Sequence, residues 1–440
     1  MSFYKPRITI FMGLLLGAPC AIGETSERER STTRTSSLLL DGDMRKGLLR
    51  DGDSGGHDGG FFISSSDGSF RLEIGAQVQL RWILSTGDES TNASYSASPG
   101  QGIQDDFQHG FENRRTKLTF SGDAFGDEHA KTYYKVTTSF SRSLGVASLS
   151  DAYFGVDLGP GGRLQAGQFK VPLHREWLMS SKRTQAVDRS VAGSFFNAGR
   201  SQGLLYESRT GQSSRYSLAV TDGINQSNTS FSDAQNIAFM LGDSDLALTA
   251  RVETLLAGSW GVFDDTTSAP GQDRALLVGF AAHHQLADKP QDGDLTSYTA
   301  DVSIEGDGWN AFASIMAQAV DSSLAIESND MGFVVQAGYY LSEALEGFVR
   351  YDLLVVDDNR TPTAPGGNET LSTITLGVNR YLHGHASKLT VDTSLALDEG
   401  VSHLDDGLGG NLIYSSPGLG YLGDDDEGEF YVRVQFQLLF

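Results

Sequence analysis

From Phe61 onward, apolar and polar residues alternate with a period of two, the mark of extended strands whose successive side chains point to opposite faces. Along Phe70 to Trp82 one face carries Phe70, Leu72, Ile74, Ala76, Val78, Leu80 and Trp82. The other carries Arg71, Glu73, Gly75, Gln77, Gln79 and Arg81. The C-terminus repeats the pattern, with Phe430, Val432, Val434, Phe436, Leu438 and Phe440 alternating with Tyr431, Arg433, Gln435, Gln437 and Leu439. Weaker versions run through Ala130 to Ser139, Ala152 to Leu158, Leu246 to Glu253, Tyr298 to Glu305 and Ile374 to Tyr381.

Sixteen candidate strands follow between Phe70 and Phe440, the least regular near Leu204 to Ser208 and Trp309 to Gln318. Their links alternate between short turns (Gly122 to Asp127, Gly159 to Gly162, Gly306 to Gly308) and long polar loops (Gly87 to Gln108, Asn359 to Glu369, Asp398 to Glu427). An even number of alternating segments, with short turns opposite long loops, describes an all-β fold, a transmembrane antiparallel β-barrel. A soluble sandwich also alternates, because it buries one face of each sheet. The export signal and the aromatic last strand favour the barrel, and Phe440 is the terminal residue type that barrel-assembly machinery reads.

Residues 1–23 read as a signal peptide: Lys5 and Arg7, then an apolar run from Ile8 to Leu16, then the small-x-small site Ala21-Ile22-Gly23. Residues 24–60 are expected to be a flexible periplasmic lead-in, with a short helix near Met44 to Leu49, and residues 61–440 the barrel. The one cysteine, Cys20, lies in the expected signal, so the mature chain has no disulfide.

Composition narrows the function. No stretch from residue 24 onward approaches the ~18 consecutive apolar residues of a spanning helix. A net charge of −23 argues against a nucleic-acid partner. There is no P-loop and no strand-turn-helix pattern for a dinucleotide fingerprint, and the nine histidines give no local signature of an activated nucleophile, so neither a cofactor nor an enzyme is expected. His283-His284, His383-Gly384-His385 and Asp424-Asp425-Asp426 could ligate metal, but solvated histidines and a solvated acidic loop explain them equally simply, and no metal is expected.

The segment between the fifth and sixth strands departs from this acidic background. It holds Lys170, Arg175, Lys182, Arg183, Arg189 and Arg200 against only Glu176 and Asp188, with Trp177, Met179, Phe195 and Phe196 interspersed. A long link with its own apolar residues can fold into the lumen as a constriction loop. Rings of Arg and Lys in a confined pore favour anions. On the polar strand faces Arg71, Arg81, Arg115, Lys117, Lys131, Lys135 and Arg163 could add to that field, or be paired with Glu73, Asp151 and Asp157. The expected ion pathway is Arg115, Lys117, Lys170, Arg175, Lys182, Arg183, Arg189 and Arg200. The competing expectation is a plugged structural or surface-interaction barrel with little conductance.

Four stretches resemble the phosphate-selective porins O and P. Phe111-Glu112-Asn113-Arg114-Arg115-Thr116-Lys117-Leu118 resembles the family's Phe-x-x-Arg-Arg-x-Arg/Lys-Leu strand opening. Asp151-Ala152-Tyr153 and Gly167-Gln168-Phe169-Lys170-Val171-Pro172 resemble Asp-Ala-Tyr and Gly-Gln-Phe-Lys-x-Pro. Ser180-Ser181 and Asp188-Arg189-Ser190 resemble Ser-Ser and Glu-Arg-Ser, with Asp188 in place of the glutamate. The resemblance is dense over Phe111 to Gly223. It implies a sixteen-stranded, usually homotrimeric porin in the outer membrane of a Gram-negative-type bacterium, in contact with lipid and passing small anionic solutes, sometimes phosphate or pyrophosphate.

Overall fold

The computed structural model describes residues 54–57, 60–86, 107–125, 131–142, 145–208, 213–225, 228, 244–288, 293–321, 327–360, 369–398, 419–421 and 428–440. The expected signal at 1–23, the helix near Met44 to Leu49, most of the lead-in and the run Asp424–Asp426 lie outside the described residues.

Two short strands, β1 (Ser54–His57) and β2 (Phe61–Ser64), precede sixteen longer ones. These are β3 (Phe70–Thr86), β4 (Phe107–Ala124), β5 (Lys131–Phe140), β6 (Ala147–Asp157), β7 (Arg163–Lys170), β8 (Arg200–Glu207), β9 (Ser214–Thr221) and β10 (Ser244–Ala257). Then come β11 (Ala275–Ala287), β12 (Asp294–Gly306), β13 (Trp309–Asp321), β14 (Ser328–Ser342), β15 (Leu345–Val355), β16 (Thr370–His383), β17 (Ser387–Ala396) and β18 (Phe430–Leu439). Each strand from β3 to β18 pairs antiparallel with the next. β18 pairs back to β3, which closes a sixteen-stranded barrel. β1 falls in the stretch read as lead-in; it pairs with β2, and β2 pairs with β3.

Side-chain orientation decides between barrel and sandwich. Leu80, Phe111, Phe120, Phe154, Leu218 and Ile315 are exposed, whereas Gln79, Arg81, Arg251, Asp301, Asp352 and Arg433 are buried. A soluble sandwich would bury the apolar set. Here it faces outward, as lipid requires, and the polar set faces a lumen. Phe436, Leu438 and Phe440 continue the outer row.

Apart from the link 258–274, the turns at one end are short. Asp307-Gly308 joins β12 to β13, with Gly308 at φ 74°, a conformation that glycine adopts without Cβ strain. The strand ends that the links 87–106, 171–199, 222–243 and 397–429 connect are all at the other end. Short turns mark the periplasmic end and long loops the outside.

The link 171–199 folds inward and contains two short helices, α1 (Arg175–Leu178) and α2 (Val191–Phe195). Its Val171, Leu173, Val191, Ala192, Phe195 and Phe196 form a buried cluster with the inner-wall residues Ala281, Leu295, Phe312, Met316, Val334 and Leu354. Phe196 lies over Gly332, where even a Cβ would collide with the ring. The loop therefore fills the β11–β18 half of the lumen and leaves a passage along β3–β10.

Candidate functional site

The inward loop is fastened at both sides. On the β7 side, Lys170 Nζ donates to the carbonyls of Trp177, Leu178 and Met179 at 2.7, 3.0 and 3.0 Å, collecting the unpaired carbonyls that end α1. Arg189 donates to the carbonyls of Glu176 and Met179 at 2.9 and 2.8 Å, and its guanidinium lies 4.4 Å from the Trp177 ring centroid. Arg251 on β10 donates to the Leu173 carbonyl at 3.0 Å. On the far wall the Val187 and Val191 N–H groups donate to Asp392 and Asp352, each at 3.0 Å. Gln185 donates to Glu346 at 2.6 Å and to Asn310 at 3.0 Å.

Inside the loop, Ser190 caps α2: its Oγ accepts from the Gly193 N–H at 2.8 Å and donates to Glu176 at 2.6 Å. A Cβ on Gly193 would strike both Ser190 Oγ and the Glu176 carboxylate. Gly193→Ala should therefore loosen the loop, read as noisier single-channel current with the barrel still heat-modifiable on gels.

Asp188 is the electrostatic centre. Its carboxylate receives Arg81 and Arg115 at 2.6 Å, Arg114 at 2.8 Å and Arg433 at 3.3 Å. Arg81 also pairs with Glu112, and Arg433 with Asp392 at 2.7 Å. Burial alone would raise the Asp188 carboxyl, but the four guanidiniums outweigh it and hold it well below the usual carboxylate range.

Two arginines adjacent in sequence reach this carboxylate because β4 is bulged. Gln79 faces Arg115 and Leu80 faces Asn113, so Arg114 has no partner residue across the ladder. Strict alternation from Arg115 would send Arg114 to the lipid; the extra residue keeps both on the lumen side.

The remaining passage is a cavity of about 930 Å³ lined by fourteen basic and five acidic side chains. All eight residues expected in the pathway line it: Arg115, Lys117, Lys170, Arg175, Lys182, Arg183, Arg189 and Arg200. Arg71 and Lys131 do not; they pair with Glu73 at 2.8 Å and Asp123 at 2.6 Å near the ends of their strands. Register orders the lining along the barrel: opposite Gln79, Gln77 and Gly75 of β3 lie Arg115, Lys117 and Thr119 of β4, and Lys135 of β5 lies beside Ser121, one pair nearer the periplasm. Arg163 and Arg215 sit near the periplasmic ends of β7 and β9.

These cations are not equivalent. Arg200 and Lys135 share Asp151, at 2.7 and 3.3 Å. Arg175 bridges Ser303 at 2.9 Å, the Phe263 carbonyl at 3.0 Å and Glu253 at 3.4 Å. Lys170 and Arg189 brace the loop. Arg183 meets Asp264 at 3.3 Å while nearly half its side chain stays exposed. Among the described residues, Lys117 and Lys182 form no side-chain ion pair and hold no fixed acceptor. The Lys182 ammonium is pushed below its ordinary value, first by burial and then by Lys135 and Arg183. No cluster of potential metal ligands occurs among the described residues.

Alternation alone missed Arg114, and the composition of the loop hid Asp188 as a minority acid. The one signal for Asp188 was its place in the Asp-Arg-Ser tripeptide.

The family model for phosphate-selective porin O and P matches residues 92–319, just over half of the chain. The chain belongs to that family. The porin shares its fold with the anion-selective porin from Comamonas acidovorans (10% identity, TM-score 0.56, covering 84% of this chain and 99% of that one). It is also similar to the outer membrane channel DcaP of Acinetobacter baumannii (14% identity, TM-score 0.51, 84% and 97% covered). A third similar structure is Salmonella typhi OmpF in complex with daunomycin (10% identity, TM-score 0.52, 84% and 98% covered). No curated protein is significantly similar to the porin in sequence.

Proposed function

We propose that this outer-membrane porin is a passive channel for small anions, phosphate among them, and that it works without catalysis in the outer membrane of a Gram-negative-type bacterium. The observation that carries the reading is a charge inversion: fourteen cations against five acids line the passage of a chain whose net charge is −23. Charge of one sign in a narrow low-dielectric channel lowers the entry barrier for the opposite sign. Lys117 and Lys182, with half-exposed Arg183, present the usable field. Arg115 and Arg200 shape the passage while neutralised, and Lys170, Arg175 and Arg189 hold the loop. The acidic net charge is screened over ~8 Å at physiological salt and so repels approaching anions only at short range.

A homotrimer fits the wall as well as the family. β7, β8 and β9 have eight residues each. At ~3.3 Å per residue and a tilt of ~40°, such strands rise only ~20 Å, short of the ~25 Å apolar band of an outer-membrane barrel. Their outer side, with that of β10 and β12, forms a groove of Leu164, Leu204, Leu218, Val220, Leu248 and Tyr298, suited to a neighbouring barrel.

The test is purified protein in a planar bilayer under a KCl gradient, followed by phosphate titration. Stepwise conductance with an anion-favouring reversal potential is expected, and block by low phosphate would identify that ion as a bound solute. Silence from folded protein would favour the plugged structural barrel. Raising the pH should weaken anion preference earlier than an ordinary lysine would allow, because burial and cationic neighbours lower the Lys182 ammonium. Lys182→Gln should remove that part of the pH dependence.

A further inference from the structure

We propose that the link Gly258–Arg274 is a second constriction, closing the passage from the periplasmic end and setting an exit size limit separate from that of the loop 171–199. The inference rests on the channel reading above.

Turns at this end need few residues, as Asp307-Gly308 shows, yet β10 and β11 are joined by seventeen. The extra chain turns into the lumen. Phe263 is buried, and Trp260 and Val262 pack with it against Leu255, Ala275 and Leu277. An apolar patch on the inner wall of a water-filled barrel is stable only when covered, and this link covers it.

The link also meets the tip of the inward loop from below. Thr266 Oγ1 accepts from the Gln185 N–H at 3.1 Å and lies 3.3 Å from the Arg183 carbonyl. The Phe263 carbonyl accepts from Arg175 at 3.0 Å. His385, on the turn after β16, lies 3.5 Å from Asp265. Two segments entering from opposite membrane faces are thus fastened to each other.

Trp260, Phe263 and Asp264 line the same cavity as the basic side chains. Arg215 lies 4.0 Å from the Trp260 ring centroid, so the indole has a cation on one face. Asp264 is well exposed beside Arg183. An anion moving down the passage therefore meets an aromatic ring and a carboxylate among the cations of its periplasmic end. A conducting pore must release what it attracts, and a carboxylate beside those cations weakens retention at the exit.

The experiment is polymer exclusion in planar bilayers. Polyethylene glycols of graded size are added to one compartment and then to the other, with native protein, Trp260→Ala, and a variant with residues 261–270 replaced by Gly-Gly. A polymer that enters from one side lowers conductance; one that stops at a constriction does not. In both variants the cutoff should rise for polymer added on the periplasmic side and stay fixed on the other. Trp260→Ala leaves the length and backbone of the link unchanged, so it keeps the test alive if the replacement fails to fold. Cutoffs unchanged in folded variants, or moved equally from both sides, would overturn the second constriction. A native protein that never conducts would instead overturn the channel reading beneath it.

Discussion

Replacing Asp188 with asparagine should destabilise the porin and at the same time make it more anion-selective. The carboxylate is buried and receives four guanidiniums, two of which, Arg81 and Arg433, are themselves almost wholly buried. Breaking a buried ionic network by removing one partner costs about 3–5 kcal/mol, because the remaining charges stay desolvated and uncompensated. Arg81 and Arg433 keep Glu112 and Asp392, whereas Arg114 and Arg115 lose the acid they bind. The first effect is read as a lower urea midpoint for unfolding from lipid, the second as a reversal potential moved towards the anion limit. Acid should mimic the first. A carboxyl with a depressed pKa contributes stability above its unfolded value and loses it as pH falls through the folded one, so the loss should appear only under strongly acidic conditions. Unchanged stability in Asp188→Asn would refute the central role given to this residue.

Reversing Lys117 and Lys182 together to glutamate should collapse anion preference with little harm to the fold. Neither ammonium forms an ion pair among the described residues, and both line the passage. A unit charge ~8 Å from a permeating ion in water-like dielectric contributes ~0.5 kcal/mol. Two reversals change the field by four units, ~2 kcal/mol, which lowers the anion-to-cation permeability ratio at least ~10-fold. The measurement is reversal potential under a KCl gradient, with heat-modifiability on gels as the check on folding. The same reversal at Arg189 should behave differently. It would place a carboxylate against the carbonyls of Glu176 and Met179 and unfasten the loop, so conductance itself would change. If Lys117 and Lys182 leave selectivity unmoved while Arg189 shifts it, the division between field and brace is reversed.

The barrel was legible because lipid outside and water inside impose a strict two-residue period on every strand. The count of sixteen and the position of the inward loop after the fifth follow from that period and from the loop's own apolar residues. What the period could not show is where it breaks. The β4 bulge adds one residue and turns Arg114 inward, and no composition signal in Asn113-Arg114-Arg115 announces it. Partnering was equally hidden. Lys170, Arg189 and Lys182 look alike in the sequence, yet two grip backbone carbonyls and one does not. That difference comes from the closed loop, which brings residues 176–179 back over Lys170 and Arg189. The link Gly258–Arg274 escaped notice because Trp260, Val262 and Phe263 continue the apolar character of the strand before them, so nothing separates a turn folding inward from a strand running on.

β18 ends beside the middle of β3. The residue after it, Phe440, exchanges backbone hydrogen bonds with Ala76 at 3.2 and 2.5 Å, and the rest of the β3 edge, from Ile74 to Arg71, is taken by β2. The two ends of the barrel chain thus lie head to tail along one edge. β18 can seal against β3 without β2, but the lowest part of that seam stays open unless β2 is paired there. Trimming the N-terminus past Ser64 would leave a bare strand edge at the periplasmic rim, and bare edges recruit other strands. Whether β2 covers this edge would decide whether the newly inserted protein remains solitary or sticks to its neighbours.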